Sequence, residues 1–291
     1  MKANLTEIYA SYPEGAVGSF NILDLDMAFT VIEAAEALNL PAIVGIASRH
    51  FDAIDAPRLI PSILSAINQS TVPIALHLDH AAPDQYDMIK HALDLGFSSI
   101  MIDGSQLPFE ENAAITARVV ETAKAYGASV EGEIGGIAGE EGVADTDSDA
   151  PEDLPFTDAA EAQKFVEQTG IDALAIAVGT AHGIYTATPQ ISFSTIQDCN
   201  KTAGVPLVMH GATGVSDADI QKSVCDGIRK INFFSGLLKD AMDTVRQNGA
   251  NSSNDYLKFK SSMQQAWKQT IMSQMQLYAL QNADQLSTVN G

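Results

Sequence analysis

Short apolar runs, each followed by a longer amphipathic stretch, alternate along this chain eight times, and this rhythm limits the fold more than any other feature. The apolar runs Ala16–Ile22, Ala42–Ala47, Pro73–Leu78, Ser99–Ile102, Ser129–Ile134, Ala173–Val178, Pro206–Met209 and Arg229–Asn232 read as strands. The stretches between them, Met27–Leu38, Arg58–Gln69, Asp84–Leu95, Glu110–Tyr126, Asp158–Thr169, Phe193–Ala203, Asp217–Cys225 and Leu237–Asn248, carry helical periodicity. The strands are rich in Val, Ile and Ala and lack strict alternation, as strands of a parallel sheet buried on both faces do. Eight strand–helix units are what a closed barrel needs. The expectation is therefore one α/β domain over residues 1–291, a single (β/α)8 TIM barrel with an extra C-terminal helix. The rival is an open doubly wound sheet, whose usual GxGxxG first turn is absent.

Capping residues fit this parse: Ser216-Asp217 opens one helix and Thr157-Asp158 another. Residues 135–155 break the rhythm, being rich in Gly and acid, and loops this long in compact domains serve as lids or binding loops. Residues 254–280 read as a further helix, with Phe259, Met263, Trp267, Ile271 and Met275 on one stripe. That stripe could pack on its own barrel or form a subunit interface.

Apolar residues make up 46% of the chain, enough for a large core, while a formal net charge of -21 argues against nucleic acid and anionic membranes as partners. A phosphorylated ligand would be repelled by that field, so its site must be built locally from backbone N–H groups, a metal or a few basic side chains. Cys199 and Cys225 read as free thiols. The N-terminus has no apolar secretory core and no apolar run is long enough to span a membrane, so a cytoplasmic location is expected.

In such a barrel the chemistry sits at the C-terminal strand ends. The third predicted strand runs into His77-Leu78-Asp79-His80, the fourth into Asp103-Gly104-Ser105, the sixth into Gly179-Thr180-Ala181-His182-Gly183 and the seventh into His210-Gly211-Ala212-Thr213-Gly214. The fifth carries Glu131 and Glu133, and the eighth ends in Asn232. His80, His182 and His210 thus come from three different strands onto one face. Three imidazoles with an open position suit a catalytic Zn²⁺, with Co²⁺ or Mn²⁺ as substitutes. Gly183 and Gly211 each follow one of these histidines, and glycine lets backbone N–H groups approach a ligand. With Thr213, Asn232 and Ser235 they lie after the strands where barrels often hold phosphate. His77 reads as a support for the strand end, His50 and His91 as non-ligands.

With these residues placed, the sequence resembles the class II fructose-bisphosphate and tagatose-bisphosphate aldolases. The resemblance runs in order through Val17-Gly18-Ser19-Phe20-Asn21, His77-Leu78-Asp79-His80, Gly96 to Ser105, Pro108 to Asn112, Val130 to Gly135, Gly179 to Gly183, His210 to Gly214 and Lys230-Ile231-Asn232. It implies that His80, His182 and His210 bind zinc and that Asp79 is the acid/base at the C4 hydroxyl. Glu140 or Glu141, in the lid, would move the proton beside the carbonyl. Asp103 and Glu133 would support the ligands or hold an accessory cation. Gly183, Gly211, Thr213, Asn232 and Ser235 would hold the phosphate of dihydroxyacetone phosphate, with Asn21 and Ser48 also at the substrate. The resemblance further implies a homodimer or homotetramer acting on a small phosphorylated sugar.

Three places depart from the family's pattern. Ser48-Arg49-His50-Phe51 stands where small or acidic residues usually follow Ser, near the far phosphate of the sugar. Phe233-Phe234-Ser235-Gly236 follows Asn232 in place of a small-small-Thr-acid run. A basic segment before the last helix is replaced by Asn251-Ser252-Ser253-Asn254-Asp255. Arg49 is the candidate to grip the far end instead. Three other readings stay open: a Schiff-base aldolase, for which Lys230 is the only barrel lysine available; an accessory subunit without activity; and an isomerase or epimerase of a phosphorylated sugar.

Overall fold

The structure is a computed structural model and describes residues 1–137, 155–183, 185, 189–249 and 255–280. Eight parallel strands close into a barrel in sequence order: β1 (Val17–Asn21), β2 (Ala42–Ala47), β3 (Ile74–Ala81), β4 (Ser99–Ile102), β5 (Ser129–Ile134), β6 (Ala173–Ile176), β7 (Leu207–Met209) and β8 (Ile228–Phe233). Closure is made by β1 on β8, with Val17 opposite Lys230 and Ser19 opposite Asn232. The expected (β/α)8 barrel is therefore the observed fold.

The helices are α1 (Leu5–Ser11), α2 (Leu25–Leu38), α3 (Ala56–Gln69), α4 (Tyr86–Leu95), α5 (Phe109–Lys124), α6 (Ala159–Thr169), α7 (Phe193–Thr202), α8 (Asp217–Asp226), α9 (Ser235–Gly249) and α10 (Tyr256–Tyr278). Asp158 accepts from the N–H groups of Ala160 and Glu161, and Ser216 from that of Asp219, so both expected caps form. Two apolar layers result. Phe20, Val44, Ile46, Leu76, Leu78, Ile100 and their neighbours fill the space between sheet and helices. Val17, Ile43, Ala75, Met101, Ala173, Ala175 and Val208 fill the lower barrel interior.

Helix α1 was not foreseen. It seals the lower end of the barrel, where Leu5, Ile8 and Tyr9 are buried on that interior layer. Its Asn4–Glu7 capping box is complete. At seven residues it is too short for periodicity to announce it.

At the other terminus, Trp267, Ile271, Met275 and Tyr278 of α10 are buried, and Trp267 Nε1 donates to the Leu237 carbonyl at 2.9 Å. This part of the predicted stripe therefore packs on its own barrel. Most of the 135–155 segment, including Glu140 and Glu141, and residues 251–254 of the altered polar stretch lie outside the described residues. The described stem is tied down: Thr157 Oγ1 donates to the Ile134 carbonyl and accepts from the Ala177 N–H. Among the described residues no helix is long and apolar enough to cross a membrane.

Candidate active site

Alternation along the strands stacks the polar interior in two layers. His77, Glu131 and Lys230 lie one step below Asp79, Glu133 and Asn232 on β3, β5 and β8, and all six are buried. On this period His80 would point away from Asp79, toward the helices. It does not, because β3 continues to Ala81, beyond the predicted end at Leu78, through a register irregularity between Leu78 and Ala81. His80 itself adopts φ 49°, a left-handed conformation that costs a non-glycine residue about 1–2 kcal/mol. The distortion turns His80 back into the barrel mouth, and Ser48 Oγ fixes it by donating to the His80 carbonyl at 2.6 Å.

The three predicted ligands converge. His80 lies with its ring centroid 4.8 Å from that of His182 and 4.5 Å from that of His210, and one ring nitrogen of each falls within 4.8 Å of the others. Two of the three rings are anchored from behind. His80 Nδ1 is 3.1 Å from Asp103 Oδ2, leaving Nε2 turned to His210 Nδ1 at 3.0 Å. His210 Nε2 is 3.0 Å from Glu131 Oε1. Histidine–carboxylate pairs of this kind fix ring orientation in metal sites. Three imidazoles with two rings pinned from behind fit a tetrahedral divalent cation with one open position. His80, Asp103 and Glu133 form a second group of the same compactness, in keeping with an accessory cation.

Asp79 sits at the centre. Asn21 Nδ2 donates to its Oδ2 at 2.7 Å and Asn232 Nδ2 to its Oδ1 at 3.1 Å. His77 Nε2 stands 3.6 Å from Oδ1, and its Nδ1 meets Ser99 Oγ at 2.7 Å. Burial opposes ionisation of Asp79, but His80, His77, His210 and Lys230 outweigh it and hold the carboxyl well below its usual range. Glu133 goes the other way: burial, then the charge of Asp103, push it well up. Burial also lowers His210 to about 4 and His182 well below its ordinary value, whereas at His80 burial is outweighed by Asp79, Asp103 and Glu133, which raise it to about 10. These directions belong to the cation-free protein; ligation requires neutral imidazoles, so cation uptake must displace the His80 proton.

Beneath the site, Lys230 Nζ donates to both oxygens of Glu131, at 2.7 and 3.0 Å. An ammonium held in a buried ion pair is a poor nucleophile, so this geometry speaks against Lys230 as a Schiff-base former. Glu131 and Lys230 are neighbours of the site; reasoning from motifs assigned Glu131 no role and offered Lys230 only as a Schiff-base former, not as the partner of Glu131. Their signal was available, since each lies two residues before an assigned site residue and thus on the same inward face.

The predicted phosphate residues lie after β6 and β7 and on or just after β8. Gly183 (φ 104°) and Gly211 (φ 66°) both adopt conformations that favour glycine, and a Cβ on Gly211 would stand 2.2 Å from the Ala181 carbonyl oxygen. Asn232 and Ser235 are buried and Thr213 is half-buried. The Asn232 and Asn21 amides face Asp79. Arg49 is exposed, on a single 3₁₀ turn Ser48–His50. His50 packs on Phe234 with ring centroids 5.7 Å apart, so two of the unusual segments touch. His91 lies on α4 against Phe51, away from the three ligands.

Comparison with known proteins follows the same line. The sequence model of the family described as fructose-bisphosphate aldolase class-II matches residues 4–283. The "Probable fructose-bisphosphate aldolase" of Bacillus subtilis (strain 168) is 36% identical over 272 residues, covering 92% of this chain and 93% of the relative. The crystal structure of the YdjI aldolase from Escherichia coli K12 superposes with a TM-score of 0.84 at 30% identity, covering 96% of this chain and 97% of that one. Agreement over the whole barrel, and not at isolated motifs, establishes that this chain belongs to the class-II fructose-bisphosphate aldolase family and is an aldolase, a carbon–carbon lyase.

Proposed function

We propose that the protein is a zinc-dependent aldolase that reversibly cleaves a ketose phosphate into dihydroxyacetone phosphate and an aldehyde. The observation that carries this reading is the convergence of the His80, His182 and His210 ring nitrogens beside the buried Asp79 carboxyl. His80 Nε2, His210 Nδ1 and His182 would hold the cation, which when bound supplies Lewis-acid polarisation of the substrate ketone.

The chain's own groups do the rest. Asp79 accepts the proton of the C4 hydroxyl as the C3–C4 bond breaks; the electron pair stays on the ketone half and C4 leaves as the aldehyde. In the synthetic direction Asp79 returns that proton. Asn21 and Asn232 hold its two oxygens, so the carboxylate is aimed before substrate arrives. Glu140 or Glu141 is the proposed donor of the proton that C3 then takes up. Gly183, Gly211, Thr213, Asn232 and Ser235 form the proposed cradle for the phosphate on the ketone half. At the far end, Arg49 and the His50–Phe234 contact are proposed to select an aldehyde other than the usual phosphorylated triose, one bearing an anionic group for the guanidinium. Fructose 1,6-bisphosphate and tagatose 1,6-bisphosphate remain the first compounds to compare.

The test is aldol cleavage of a panel of ketose mono- and bisphosphates, with dihydroxyacetone phosphate as the detected product, with and without chelator. Chelator-sensitive release from one or more members is the expected result. Absence of cleavage by zinc-loaded protein across the panel would overturn the reading and favour the accessory-subunit alternative.

A further inference from the structure

One tyrosine joins the two loops that carry His182 and His210. The Ala181 N–H donates to Tyr185 Oη at 2.7 Å, and Tyr185 Oη donates to the Gly211 carbonyl at 2.7 Å. The hydroxyl thus uses its single proton on one loop and a lone pair on the other. Ala181 immediately precedes His182, and Gly211 immediately follows His210. Both backbone groups belong to buried residues, so neither can readily turn to water instead.

The surroundings make this bridge stiff. The loops are already in contact, since a Cβ on Gly211 would lie 2.2 Å from the Ala181 carbonyl oxygen. The tyrosine ring packs against the main apolar cluster, and its Cδ2 lies 3.2 Å from where a Cβ on Gly214 would stand. The ring is therefore seated on the core while its hydroxyl spans the gap, with the His182 and His210 ring centroids 5.7 Å apart. Any change in loop spacing must alter that separation and the approach of Gly183 and Gly211 to a ligand.

We propose that Tyr185 is a positioning residue whose hydroxyl sets the spacing of the His182 and His210 loops, and so the geometry of the cation site and of the adjoining anion cradle. The inference rests on His182 and His210 being cation ligands. It assigns Tyr185 no contact with substrate and no part in proton transfer.

The experiment is titration of cation-free protein with Co²⁺, followed by visible absorption, in the wild type, in Tyr185→Phe and in a variant carrying 3-fluorotyrosine at position 185. Thermal melts of the cation-free proteins accompany it. Tyr185→Phe keeps the ring and removes both hydrogen bonds. Its apparent Kd for Co²⁺ should rise about tenfold or more, the scale seen when groups that orient metal ligands are lost. Its absorption band should change in intensity, reporting altered coordination, and its affinity for inorganic phosphate in the Co²⁺-loaded state should fall. The fluorotyrosine variant keeps the hydroxyl and should match the wild type. Wild-type affinity and spectrum in Tyr185→Phe would overturn the proposal, as would equal weakening in both variants. A wild-type chain that takes up no Co²⁺ would overturn the ligand assignment itself and the role of Tyr185 with it.

Discussion

The strand ends of β3–β5 and those of β6–β8 meet across the barrel mouth, and their chemistry is opposite. The first group contributes Asp79, Asp103, Glu131 and Glu133. The second, residues 173–183, 207–214 and 228–236, contains no carboxylate; it offers His182, His210, glycine backbone, Thr213, Asn232, Ser235 and the buried ammonium of Lys230. Crowded carboxylates hold cations and protons, and their surroundings split their ionisation: burial and then the charge of Asp103 push Glu133 up, whereas at Asp79 burial is outweighed by His80, His77, His210 and Lys230, which hold it down. The second side presents donors and adds no carboxylate of its own. In a chain of net charge -21, that is where an anionic substrate can be received. The two sides are linked at Asp79, whose two oxygens are held by amides from β1 and β8.

The contrast predicts effects of different size on the two sides. Asp79→Asn keeps the shape of the clamp but removes the proton acceptor, so kcat should fall by about 10²–10⁴ while cation content, read by metal analysis, stays near wild type. A variant that kept its kcat would show that proton handling does not reside on the acidic side.

Glu131 tests the support beneath the proposed ligands. Glu131→Gln alone strands the Lys230 charge in the interior and should cost about 3–5 kcal/mol of stability, read from denaturant unfolding. Pairing it with Lys230→Met removes both charges and still leaves His210 an acceptor. The double variant should regain most of that stability yet bind zinc about 10–100-fold more weakly. Recovery of zinc affinity along with stability would reduce Glu131 to a packing role.

On the second side, Gly211→Ala forces a side chain into a backbone with φ 66° and against the Ala181 carbonyl. The backbone conformation alone costs about 1–2 kcal/mol. The expected outcome is a lower melting temperature together with a higher KM for the phosphorylated substrate. An unchanged KM would remove Gly211 from the cradle. The smallest effect is expected at Arg49, which is exposed: Arg49→Ala should raise KM by roughly fivefold, equivalent to about 1 kcal/mol, with kcat little altered. If KM for every sugar phosphate in the panel stays the same, the proposed recognition of the far end fails.

Much of this was legible without a structure. Periodicity gave the barrel because parallel strands buried on both faces and their crossover helices leave different hydrophobic patterns. The rule that chemistry collects at strand C-termini then brought His80, His182 and His210 together from three distant segments. The pairing of Lys230 with Glu131 was not visible, because ion-pair partners 99 positions apart leave no local pattern. Tyr185 was invisible for a similar reason, since its two partners are backbone atoms and backbone carries no sequence signal.

The sequence by itself determined the number and order of the strands, the face on which the polar groups gather, and the uneven split of acid and glycine between strand ends. These follow from local spacing and composition. Tertiary structure alone decided how His80 serves the site. Strict alternation would turn it away from Asp79, and only the irregularity in β3, the left-handed backbone at His80 and the Ser48 hydrogen bond bring both side chains to the same point. A conformation that is locally unfavourable persists because contacts from other strands hold it, and those contacts exist only once the barrel has closed.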